Sequence, residues 1–140
     1  MAVINGNNTD NILYGTSAAD SIFGLGGDDI LFGRDGNDVL VGGTGDDVLR
    51  GEGGNDTLVA DAGRDMLHGG AGIDLADYST AQGGVTLDLE QGLATGALGP
   101  DLLISIENVT TGGSDDWIVG SSGGNTLRGG GGNDQIAAGA

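Results

Sequence analysis

Residues 24–59 read GLGGDDILF, GRDGNDVLV, GGTGDDVLR and GEGGNDTLV, four consecutive blocks of nine with glycine, aspartate and an aliphatic residue at fixed places. Self-similarity at a fixed period outranks local propensity as a fold signal, because every unit repeats one chain path. The phase extends outward in both directions. GNNTDNILY and GTSAADSIF precede the four blocks, and ADAGRDMLH and GGAGIDLAD follow, so eight copies run without a gap from Gly6 to Asp77. Position one is glycine throughout except at Ala60, and position four is Gly27, Gly36, Gly45, Gly54, Gly63 and Gly72 in the last six copies. Position six is Asn11, then Asp20, Asp29, Asp38, Asp47, Asp56, Asp65 and Asp74. Position eight is Leu13, Ile22, Leu31, Leu40, Leu49, Leu58, Leu67 and Ala76.

After Asp77 the beat lapses. Val85–Leu89 alternates like a half-buried strand, a Gly/Pro-containing turn region follows, and Leu103–Val109 reads as a second strand. The period resumes with TGGSDDWIV from Thr111, then GSSGGNTLR and GGGGNDQIA, ending at Ala137. Neither block reads as self-sufficient. The expected organisation is one domain over residues 1–140: repeats over 6–77, a β-rich spacer over 78–110 and repeats over 111–137.

Each nonapeptide has two physical halves. Six residues of glycine and aspartate make a turn that visits positive φ. Three residues, such as Ile30-Leu31-Phe32, make a short strand whose middle side chain points inward. Two units close one 18-residue coil, and stacked coils bury the position-eight residues in a thin core. Such a core offsets backbone ordering poorly, at roughly 1–2 kcal/mol per residue. Stacking also sets aspartates two repeats apart face to face, Asp29 on Asp47 and Asp38 on Asp56. Like charges so placed repel, whereas a hard cation between them would find carboxylates and turn carbonyls.

Composition points the same way. Among 140 residues there are 32 glycines, 21 acids, four arginines and no lysine, for a net charge of −17. That sign excludes simple electrostatic binding to nucleic acid or anionic lipid. Without cysteine there are neither disulfides nor thiolate metal sites. No apolar run is long enough to cross a membrane as a helix, and Met1–Asn5 does not read as a signal peptide. The final residues, Gln135–Ala140, show no obvious cap, and the activity of any parent protein is not legible from this stretch.

Catalytic signatures are weak. His68, the single histidine, falls at an outward position nine. Gly120-Ser121-Ser122-Gly123-Gly124 matches the G-x-S-x-G elbow in letters alone, since it lies in a repeat turn without a strand-to-helix context. The chain reads as no enzyme. One surplus remains: Ile12, Tyr14, Phe23, Ile30, Phe32, Val39 and Val41 are apolar at outward positions. They predict an interface covered by the Val85–Leu89 strand, a neighbouring domain or a second copy.

These blocks resemble the G-G-x-G-x-D-x-U-x nonapeptide of the RTX (haemolysin-type) calcium-binding family; GGTGDDVLR and GGGGNDQIA fit almost letter for letter. The resemblance implies an all-β, right-handed parallel β-roll with Ca²⁺ held between turns by position-six aspartates and turn carbonyls. Carried over residue by residue, one edge would hold Asn11, Asp29, Asp47 and Asp65, and the other Asp20, Asp38, Asp56 and Asp74. Carbonyls would come from the turns of Gly27, Gly36, Gly45, Gly54, Gly63 and Gly72. Asp116 and Asp134 would add a further site, for up to about seven ions against the charge of −17. Several positions depart from the pattern: Asn11 is neutral, the turn after Gly15 lacks its other glycines, Arg64 neighbours Asp65, and Asn125 faces Glu107. The resemblance further implies a secreted bacterial module that folds on meeting calcium after type I export. The alternatives are a polysaccharide-binding accessory module, as in alginate-epimerase-like enzymes, or a surface or self-assembly element.

Overall fold

A chain that alternates glycine–aspartate turns with three strand residues must reverse every nine residues. The computed structural model, which describes residues 1–140, follows that path and contains no helix. In the first block the strands are β1 (Val3–Asn7), β2 (Ile12–Tyr14), β3 (Ser21–Gly26), β4 (Ile30–Asp35) and β5 (Val39–Thr44). They continue as β6 (Val48–Gly53), β7 (Thr57–Val59), β8 (Met66–Ala71) and β9 (Leu75–Asp77). The spacer forms β10 (Val85–Asp88), β11 (Leu93–Gly96), β12 (Asp101–Ile104) and β13 (Asn108–Thr110). The second block forms β14 (Trp117–Val119), β15 (Thr126–Arg128) and β16 (Gln135–Ala137).

Outside the run β10–β12, successive strands alternate between two sheets. One is a seven-stranded parallel sheet in the order β1-β3-β5-β7-β9-β13-β15. The other has nine strands in the order β2-β4-β6-β8-β12-β11-β10-β14-β16. Register is fixed by the repeat: Leu13, Leu31, Leu49, Leu67 and Leu103 stand in line in the nine-stranded sheet. Ile4, Ile22, Leu40, Leu58, Ala76, Val109 and Leu127 stand in line in the other. These two rows meet in a single narrow core, fully buried from Ile22 to Ala76. A fully buried Leu contributes about 2 kcal/mol. The fold is therefore an all-β, parallel β-solenoid of the β-roll kind.

The spacer completes a sheet. β10, β11 and β12 form an antiparallel meander, while β12 pairs in parallel with β8 and β10 in parallel with β14. Val85 and Leu87 are thus core residues. This corrects the expectation that the Val85–Leu89 strand covers outward apolar residues: its own alternation is the inward face of an inserted strand. Leu103–Val109 is likewise not one strand. Ser105, at φ 51°, ends β12, and three residues later β13 begins in the opposite sheet. Within the turn region, Leu93–Gly96 pairs as β11, which local pattern did not disclose.

The outward apolar residues do not form one patch. Phe23, Val39 and Val41 lie on the outer face of the seven-stranded sheet, and Ile12, Tyr14, Ile30 and Phe32 on that of the nine-stranded sheet. On the latter, the Tyr14 and Phe32 rings stack at 4.9 Å, with Arg34 5.2 Å above the Tyr14 ring and Arg50 5.9 Å above Phe32. Two of the four arginines are therefore engaged over aromatic faces of their own sheet.

Candidate metal centre

Turns stack along two edges. The first edge carries the chain from the seven-stranded into the nine-stranded sheet through Asn11, Asp29, Asp47 and Asp65; the second returns it through Asp20, Asp38, Asp56 and Asp74. Along each edge the position-six carboxylates form a ladder. Oδ1 of each accepts the backbone N–H of the position-six residue one coil earlier: Asn11 to Asp29 at 2.7 Å, Asp29 to Asp47 at 2.7 Å and Asp47 to Asp65 at 3.0 Å. On the second edge the N–H groups of Asp20, Asp38 and Asp56 donate to Asp38, Asp56 and Asp74 at 2.7, 2.8 and 2.8 Å. Asp116 accepts from Val85 and Asp134 from Asp116 in the same manner. This bond satisfies one oxygen and orients the other.

The other oxygen is left without a partner. Oδ2 of Asp29, Asp38, Asp47, Asp56, Asp74 and Asp116 is buried and accepts nothing, as is Oδ2 of Asp61. A buried carboxylate oxygen in that state is costly. What these oxygens face explains the repeat's glycines. A Cβ at Gly24 would overlap Asp29 Oδ2 and come within 2.5 Å of the Gly42 carbonyl. A Cβ at Gly33 would come within 2.5 Å of Asp38 Oδ2 and 2.7 Å of the Gly51 carbonyl; at Gly51 it would overlap Asp56 Oδ2 and approach the Gly69 carbonyl. Position one is therefore glycine for space, since its φ is not left-handed, while position four, at φ 127° in Gly36, needs glycine for its backbone as well. The cradles at Gly24, Gly33 and Gly51 are each lined by one carboxylate oxygen and by one carbonyl oxygen of the next coil.

The electrostatics are those of anions crowded out of water. Burial is the chief cause raising the carboxyls of Asp29, Asp38 and Asp74, and it takes Asp47 and Asp56 to about 6 and Asp65 to about 7. The peptide N–H to Oδ1 offsets part of this, and neighbouring carboxylates add to it. Asp20 is the exception: the Thr16 N–H and hydroxyl, each 2.7 Å from Oδ2, hold it below the usual carboxylate range. Asn11 Oδ1 similarly accepts the Asn7 N–H, and Asn125 Oδ1 the Ser121 N–H.

The donor set is hard oxygen alone. No group of three or more His, Asp or Glu side chains gathers at one point, so these are not closed transition-metal sites of the nitrogen and sulfur kind. Carboxylate and carbonyl oxygens in a glycine turn suit Ca²⁺, which takes six to eight such ligands. The orphaned Oδ2 atoms and the cradles before them fit that ion.

The spacer joins the ladder through residues that the nonapeptide pattern does not flag. The Asp65 N–H donates to Asp101 Oδ1 at 2.9 Å, and the Asp74 N–H to Glu107 Oε2 at 2.9 Å. Asp101 lies 36 residues after Asp65, two whole coils in phase, and Gly99-Pro100-Asp101-Leu102-Leu103-Ile104 carries positions four to nine of the repeat. That signal was legible, as was the place of Glu107 18 residues before Asn125; the shortened turn that brings Glu107 to Asp74 was not. At Asp101 the second oxygen is not orphaned, because the buried Tyr78 hydroxyl donates to Oδ2 at 2.8 Å. Tyr78 and Ala60 occupy position one at this level of the first edge. The Ala60 N–H donates to the Asp77 carbonyl and the Tyr78 N–H to the Thr110 carbonyl, as position-one glycines do elsewhere.

The chain is thus a β-solenoid repeat protein whose stacked turns orient hard carboxylate oxygens into glycine-walled cradles along both edges. The model of the RTX calcium-binding nonapeptide repeat matches residues 5–40, 41–76 and 110–140. This chain belongs to that family. No curated protein matches it at a significant level.

Proposed function

We propose that the chain is a calcium-dependent folding and stabilising module of a secreted protein, without catalysis of its own. The observation that carries this reading is the set of buried, unpartnered Oδ2 atoms at position six, with those of Asp29, Asp38, Asp56 and Asp74 set against the position-one carbonyl of the next coil. Asp29 and Asp47 on the first edge, and Asp38, Asp56 and Asp74 on the second, would hold ions between coils. Asp116 would do so in the second block. Position-four carbonyls, which stack so that Gly27 lies beneath Gly45 and Gly36 beneath Gly54, would complete the shells. Bound calcium supplies the counter-charge that these carboxylates lack, and the chain's own part is to orient the oxygens and exclude water.

Folding and binding are then linked. The calcium-free chain carries −17 around a core one side chain thick, and ions that bind only the folded form stabilise it by mass action. A protein so built stays extended where calcium is scarce and folds where it is abundant, which suits export before folding. The test is far-UV circular dichroism across a Ca²⁺ titration with EDTA reversal. Cooperative, reversible gain of β-structure is expected; a fully folded calcium-free form indifferent to the ion overturns the reading.

A further inference from the structure

The family match stops at residue 76 and resumes at 110, yet the ladder of the second edge crosses that interval. Its position-one residues are Gly15, Gly33, Gly51 and Gly69, and the next coil places Ser105 there, as the pairing of His68 with Ile104 requires. Asp74 is wholly buried, and its Oδ2 has no partner. That oxygen and the Ser105 carbonyl converge on the space above Gly69, where a Cβ would overlap both. Gly51 shows the same arrangement with Asp56 Oδ2 and the Gly69 carbonyl. Glu107 then fills position six. The turn between β12 and β13 is only Ser105-Ile106-Glu107, and the longer glutamate side chain reaches the Asp74 N–H.

From this we infer that the spacer builds a cation site of its own, lined by Asp74 Oδ2, the Ser105 carbonyl and the Glu107 carboxylate, continuing the second edge beyond its last nonapeptide. The first edge does the opposite at the same height. There the Asp101 oxygen is taken by the Tyr78 hydroxyl, and Ala60 places a methyl where Gly24 and Gly42 leave space. One edge is closed by a phenol and the other stays open to an ion. This tethers the spacer to the first block by metal on one side only, so docking of β12 and β13 would depend on calcium.

The inference rests on the calcium reading above, and its test separates the two. Crystals of the whole chain grown in CaCl₂ are examined by anomalous difference maps, and bound ions are counted by native mass spectrometry for the wild type and Glu107→Gln. The glutamine keeps an acceptor for the Asp74 N–H and removes the charge. A peak within about 2.3–2.6 Å of Asp74 Oδ2 and the Ser105 carbonyl, with one ion fewer in the variant at the same free calcium, is the expected result. Peaks at Asp29 and Asp38 but none at Asp74 overturn this site alone. Peaks nowhere overturn both. Should the variant not fold, the wild-type map decides.

Discussion

Substituting alanine for Gly51 isolates the cradle from every other property of the turn. Gly51 is not in the left-handed region, so alanine adopts its backbone freely; on chain entropy alone the change would stabilise by about 0.4–1 kcal/mol. The added Cβ, however, overlaps Asp56 Oδ2 and stands 2.6 Å from the Gly69 carbonyl. Forcing a methyl into such a site costs about 1–3 kcal/mol. It also displaces both oxygens that would face the ion. At calcium 100-fold above its dissociation constant, losing one ion removes about 2.7 kcal/mol. The net is a loss of about 3–5 kcal/mol in calcium, which at about 3–5 °C per kcal/mol for this length lowers Tm by roughly 10–25 °C. Gly124→Ala is the matched control, since its Cβ would meet nothing within 4 Å and its φ is not left-handed; it should leave Tm unchanged or slightly raised. Calcium-saturated melts followed at 218 nm, with ion counts by native mass spectrometry, measure both quantities. A Gly51→Ala protein with wild-type Tm and ion count would refute the cradle.

Asp47→Asn should invert its effect with the ion: it relieves a buried, repelled carboxylate in EDTA and removes a ligand in calcium. Urea midpoints should therefore rise without calcium and fall with it, and a fall in both conditions would contradict the argument. Without calcium the folded form should also prefer acid, because burial lifts Asp47 and Asp56 to about 6 and Asp65 to about 7, against about 3.9 unfolded. The stability these groups contribute is complete below about pH 4 and lost as pH rises through 6 to 7; β-content in EDTA at pH 5 should exceed that at pH 8. Finally, Tyr78→Phe orphans Asp101 Oδ2 and should cost about 1–3 kcal/mol in calcium, read as a lowered urea midpoint. No shift would show that the hydroxyl bond contributes nothing.

Most of the solenoid was legible residue by residue. A nine-residue period sets the coil length, position eight names the core from Ile22 to Leu67, and position six names the carboxylates that line each edge. These follow from local geometry repeated, since each unit contacts mainly its neighbours along the stack. The role of position-one glycine was not legible. Its reason is room for two oxygens, the carboxylate five residues on and a carbonyl one coil on, which meet only in the folded stack, and no property of the letters alone distinguishes a glycine kept for space from one kept for φ.

The spacer shows where local reading ends. Val85–Leu89 alternates as any half-buried strand does, so its pattern cannot say whether it lies over a sheet or inside one; pairing with β14 on one side and β11 on the other decided that. Glu107 joins the ladder only because a three-residue turn delivers it opposite Asp74, and Tyr78 meets Asp101 across 23 residues. By itself, then, the sequence determined the repeat, the core and the two rows of acids, all short-range consequences of period and residue type. Tertiary structure alone decided how the interrupted stretch keeps the stack continuous, and which buried oxygens are satisfied by the chain and which are left facing a glycine-walled cradle. Those depend on which coil lands on which, a choice made by packing over the whole stack.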